Sequence, residues 1–156
     1  MMGFRMLGMA KGLSYGVVLG VAFAVVATGL AQGAGKSRKS RVASGTYAVS
    51  NSYSATPQGG AAIASLTYKG ALTGTGIDSG TEVISSGGFF SAHGTEFCDP
   101  CTIDGKTGAF TATYKISASP GKFSGTETFT RGFGKLAGLT GGGTFTVNTY
   151  RYSYRF

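Results

Sequence analysis

One histidine, two cysteines and six acidic residues are the whole stock of those side chains in this 156-residue protein. With His93 alone, a Ser-His-Asp or Cys-His mechanism hangs on one residue beside turn glycines, where a surface or loop role is the commoner one. A zinc site built on His93, Cys98 and Cys101 reaches three ligands and finds no convincing fourth, so no metal is expected. Amphipathic helical spacing is absent after residue 43. The formal charge of +8 is also less than it looks. Arg5 and Lys11 lie at the N-terminal end, and Lys36, Arg38, Lys39 and Arg41 form the run K-S-R-K-S-R. From Val42 onward eight basic residues face six acidic ones, a net charge of +2. That near-neutral remainder carries no basic face of the kind nucleic-acid binding requires.

The 24 residues from Gly12 to Gly35 contain no charge, and their apolar centre runs from Val17 to Val26. A basic start, an apolar middle and the small residues Gly29 and Ala31 form a secretory signal, residues 1–31, cut after Ala31. The alternative is an uncleaved anchor, since a run of that length can span a bilayer. Either way the remaining chain is expected outside the cytoplasm, secreted or periplasmic. Residues 32–43 read as a basic Ser/Gly linker. A sharper reading makes its charges an attachment to anionic lipid or cell-wall polymer.

Residues 44–156 read as one all-β domain. Glycine, at 28 residues, punctuates short stretches of two-residue alternation. Phe110, Ala112, Tyr114 and Ile116 alternate with Thr111, Thr113, Lys115 and Ser117, the period of a strand with one wet face. Phe123, Gly125, Glu127 and Phe129 share a face in the next strand, and Tyr47, Val49, Asn51 and Tyr53 share one in the first. Asp104-Gly105 is the strongest hairpin signal, because the turn it favours joins antiparallel strands. Turns are also expected at Pro57 to Gly60, Ser86 to Gly88 and Ser119 to Gly121. Near the C-terminus the apolar parity changes from Phe145 and Val147 to Tyr150, Tyr152, Tyr154 and Phe156, which a β-bulge near Asn148 would accommodate. About eight strands at roughly ten-residue spacing predict an antiparallel barrel or sandwich. The triplet G-T-E recurs at Gly80, Gly94 and Gly125 and reads as shared hairpin chemistry.

The segments D-G-K-T-G-A-F-T-A-T-Y, G-T-E-T-F and G-F-G-K-L-A-G-L-T-G-G-G-T-F, within Leu66 to Val147, resemble the allene oxide cyclase-like barrel group and its bacterial domains of unknown function. Plant dirigent proteins carry a similar Gly-rich segment before their final strands. The resemblance implies a single antiparallel eight-stranded calycin-like barrel with an apolar cavity, and a homo-oligomer as in characterised relatives. No catalytic residue of that group maps onto a position here.

Candidate chemistry is sparse. Cys98 and Cys101, three apart in an oxidising compartment, pair with each other, the alternatives being a redox dithiol or the incomplete zinc site. So short a loop stabilises by only about 2 kcal/mol. Glu127 is the weak candidate for a catalytic acid or base. If its face lines the interior, burial raises its pKa; the competing placement is the exterior or the barrel rim, because buried carboxylates are rare. Arg151 is a partner for it if no bulge intervenes. Phe110, Tyr114, Phe123, Phe129 and Phe145 are the cavity-lining candidates, and Tyr150, Tyr152 and Tyr154 read as core or subunit-interface packing. The leading expectation is an exported barrel that binds a small apolar ligand or a protein partner. A cofactor-free cyclase or isomerase and a surface-attached structural protein are the alternatives.

Overall fold

A computed structural model describes residues 39–156; the signal segment and residues 32–38 of the linker lie outside the described residues. Eight strands follow one another: β1 Arg41–Thr56, β2 Gly59–Gly70, β3 Leu72–Ser85, β4 Phe89–Ile103, β5 Lys106–Ser119, β6 Lys122–Gly134, β7 Thr140–Phe145 and β8 Thr149–Arg155. Each pairs antiparallel with its neighbours in chain order, and β8 returns to β1, closing the barrel. Closure removes the unpaired edges that a sandwich would leave exposed.

Barrel closure also moves the first strand boundary. β1 begins at Arg41, inside the stretch read as linker, because Arg41 through Thr46 pair with Tyr154 back to Thr149. Ala43 is thereby buried, and the Arg41 guanidinium forms an ion pair with Asp104 across the barrel end.

The hairpin signals hold. Asp104 and Gly105 have φ of 56° and 70°, the left-handed pair that a two-residue hairpin turn demands. The parity change near Asn148 has a different cause from the bulge expected there. The segment is two strands, with Thr146 N–H donating to the Thr149 carbonyl at 2.8 Å to close the turn between them. Val147 at its tip is 70% exposed, while Phe145 and Tyr150 face each other across the hairpin, both buried. The phenol of Tyr47 donates to the Thr146 carbonyl at 2.5 Å and ties this turn to β1. In β1 the expected face also breaks after Val49. A register shift between Ser50 and Tyr53, with Asn51 at φ 50°, puts Tyr53 opposite Ile63, both exposed.

Away from the register shifts, inward residues alternate with outward ones along the strands. One end of the interior is solid. Leu72, Ile103, Phe110 and Phe129 fill it, joined by Leu136 and Leu139 from the β6–β7 connection. Phe110 and Phe129 pack edge to face at 5.0 Å, and Phe129 and Tyr152 do so at 5.4 Å.

Candidate functional site

Above that packed end the interior is hollow. A cavity of about 340 Å³ opens toward the β1–β2, β3–β4 and β5–β6 turns, within the range of small-molecule sites. Its upper wall is apolar, with Leu66, Ile84, Phe90, Ile116, Phe123 and Phe145. Of the expected lining residues, Tyr114, Phe123 and Phe145 are present, whereas Phe110 and Phe129 lie buried beneath the cavity as part of its support.

The floor is acidic. Glu127 on β6 points inward as its parity allowed and is only 3% exposed. Its partner is not Arg151, which lies exposed on the outer face, but Tyr152, whose phenol donates to Oε2 at 2.5 Å. Glu96 on β4 is 2% exposed, and the Tyr68 phenol donates to its Oε2 at 2.8 Å. Asp78 on β3 sits directly across the ladder from Glu96, so two carboxyl groups share one face at cross-strand distance. Asp78 Oδ1, Glu96 Oε1 and Glu127 Oε1 are buried and have no protein hydrogen-bond partner.

Burial dominates the titration of all three. It pushes Glu127 up to about 8 against the opposing Tyr152 hydrogen bond, with the Asp78 charge adding to the rise. Glu96 is held well above the usual carboxylate range by burial, then by the charges of Glu127 and Asp78, while the Tyr68 hydrogen bond pulls the other way. Asp78 rises to about 7 through burial. The phenols move up as well, Tyr47 and Tyr114 to about 12 through burial first. They stay protonated near neutrality and act as donors and apolar faces.

Glycines make the room for these groups. A Cβ on Gly76 would stand 2.5 Å from Glu96 Oε1, and one on Gly125 would stand 2.1 Å from the Phe145 ring. The recurring G-T-E triplet belongs to the cavity wall and not to hairpin turns. In β3, β4 and β6 its Gly and Glu point inward and its Thr outward, and Glu82, Glu96 and Glu127 all line the cavity. This recurrence was the sequence signal for Glu96, which parity alone did not single out.

Cys98 and Cys101 are joined as a disulfide, with Cα atoms 5.8 Å apart, across a bulge where β4 has one more residue than β5. Paired and buried, they offer neither a thiolate nor a metal ligand, and His93 is exposed. Among the described residues no group of three His, Cys, Asp or Glu side chains is placed to hold a metal ion. Tyr150, Tyr152 and Tyr154 are buried as core packing, and the Tyr150 phenol bonds both Leu72 backbone groups, at 2.8 and 2.9 Å.

Fold and site define a closed eight-stranded antiparallel barrel with an acid-floored apolar cavity. This barrel is similar to the crystal structure of a protein with unknown function from the DUF3224 family of Shewanella oneidensis MR-1, with a TM-score of 0.62 and 16% identity. The match covers 76% of this chain and 98% of that one. No family model matches the sequence, and no curated protein does.

Proposed function

We propose that this protein is an exported barrel that binds a small, largely apolar molecule in its interior. The observation that carries the reading is the open cavity of about 340 Å³ at the centre of an otherwise closely packed barrel. Interiors normally pack to the density of organic crystals, so a lined hollow of this size calls for an occupant. Hydrophobic transfer supplies the affinity, at about 25 cal/mol per Å² of apolar surface removed from water. Export rests on the leader sequence and agrees with a disulfide in a small domain.

A neutral fluorescent probe, N-phenyl-1-naphthylamine, tests this directly. Saturable, blue-shifted emission is expected with the native chain and is lost on filling the cavity by Ala64→Trp or Ala62→Trp, with circular dichroism verifying the fold. Equal emission from native and filled proteins overturns the reading.

The burial of Glu127 favours a second reading, a cofactor-free cyclase or isomerase resembling the allene oxide cyclase-like enzymes. A carboxyl group with its pKa near 8 is matched to proton transfer near neutrality. Turnover lost in Glu127→Gln while the probe still binds would favour it over simple binding.

A further inference from the structure

The charges of this molecule are sorted by location. Asp78, Glu82, Glu96 and Glu127, four of the six acidic residues in the chain, line one cavity. No Lys, Arg or His among the described residues lines it. Buried carboxyl groups are ordinarily paired with a cation or fully hydrogen-bonded, since an unpaired buried charge is strongly unfavourable. Here Glu96 and Glu127, each more than nine-tenths buried, receive one phenol apiece on Oε2, and their Oε1 atoms have no protein partner. The protein therefore supplies an acidic floor without a cation to pair with its carboxyl groups.

From this arrangement we infer that the molecule bound in the cavity is an organic cation, a protonated amine carried on an apolar body. The inference rests on the cavity-binding reading and specifies its ligand class. The floor offers unpartnered carboxyl oxygens on Asp78, Glu96 and Glu127 as acceptors for the N–H donors of an ammonium group. The rings of Tyr47, Tyr68, Tyr114 and Tyr152 border the same space, and aromatic faces attract cations further. The described residues include no metal-holding cluster, and the remaining wall is apolar, which suits an organic cation over a bare metal ion.

Proton balance gives the inference a signature. The titratable groups facing Glu127 and Glu96 are Tyr47 from β1, Tyr68 from β2, Asp78 and Glu82 from β3, Tyr114 from β5 and Tyr152 from β8, with none from β7. An ammonium ion arriving from water at a protonated carboxyl forms an ammonium–carboxylate pair, and the carboxyl proton leaves to solvent. Amine binding thus releases a proton and strengthens as pH rises toward 8, while binding of a neutral analogue does neither.

Isothermal titration calorimetry on the exported full chain compares 3-phenylpropylamine, 3-phenylpropan-1-ol and 3-phenylpropanoic acid. At pH 8 the amine is expected to bind at least tenfold more tightly than the alcohol, and the acid more weakly than either. Amine affinity rises at least tenfold from pH 6 to pH 8, with proton release read from buffers of different ionisation enthalpy. Glu96→Gln and Glu127→Gln each shrink the amine-over-alcohol ratio. Alcohol binding equal to amine binding overturns this inference and leaves the apolar-cavity reading standing. Failure of all three probes to bind a correctly folded chain overturns both.

Discussion

A carboxyl group at the floor of an apolar cavity links the stability of the fold to pH. Glu127 has its pKa pushed to about 8 in the folded chain, against an ordinary value of 4.5. Below pH 4.5 both states hold the proton. Between there and about 8 the folded state keeps a proton that the unfolded state has lost, so stability falls as pH rises. The buried position of Glu96 acts in the same direction, as does Asp78 up to about pH 7. Asp104, lowered by the Arg41 guanidinium, has the opposite sign, but its change lies below 3.8, outside this window. Glu127 alone is expected to make the stability in urea unfolding about 3–5 kcal/mol lower at pH 8 than at pH 5. Glu127→Gln keeps the acceptor for Tyr152 and should recover about 2–4 kcal/mol of that difference at pH 8. Stability that does not change from pH 5 to pH 8 would contradict the buried, unpaired carboxyl groups. The sequence made Glu127 readable because Phe123 and Phe129 flank it on an apolar face. Glu96 and Asp78 were hidden, since their inward neighbours are Ala92, Gly94, Gly76 and Gly80 while Phe97 and Ile77 face out. Where the small residues line the cavity and the large ones face solvent, hydrophobic alternation carries no sign of which face is inside.

At the scale of strands and turns, alternation and turn chemistry made most of the barrel legible. The Asp104-Gly105 hairpin, the inward faces of β5 and β6 and the turns at Pro57, Ser86 and Ser119 follow from residues adjacent in sequence. What local pattern did not disclose depends on pairing between strands distant in sequence. β1 reaches back to Arg41 only because β8 lies beside it, and the last segment divides in two because the Thr146 turn is tied to Tyr47. The glycines of β6 and β7 serve packing between strands as much as backbone freedom. Gly125→Ala would drive a methyl group into the Phe145 ring, and a loss of about 1–3 kcal/mol is expected in chemical denaturation. A neutral or stabilising alanine would show that Phe145 is free to move, and the upper wall of the cavity with it. The Cys98–Cys101 disulfide closes a loop of sequence separation 3, so the double substitution to serine should lower stability by about 2 kcal/mol and leave the barrel formed. Collapse of the fold on that substitution would mean that the bond organises far more than its own bulge.

For the molecule as a whole, the balance of charge and the shape of the interior point the same way. A chain of net charge +8 keeps four of its six acidic residues around an internal cavity, and the basic residues of the barrel lie elsewhere. Composition alone gave the excess of basic residues but not this separation, because the separation exists only once the barrel closes. The sheet closes on itself, and the mouth of its interior cavity lies above Glu96, Glu127 and Asp78. The central claim is that this mouth admits a small molecule. Native mass spectrometry of protein exported through a secretory pathway, set beside the same sample denatured, tests it most directly. The account predicts a native species heavier than the denatured chain by the mass of one small molecule per barrel, lost on denaturation and lost again on filling the cavity with Ala64→Trp. A native mass equal to that of the bare chain, unchanged after incubation with 3-phenylpropylamine or 3-phenylpropan-1-ol, would contradict it.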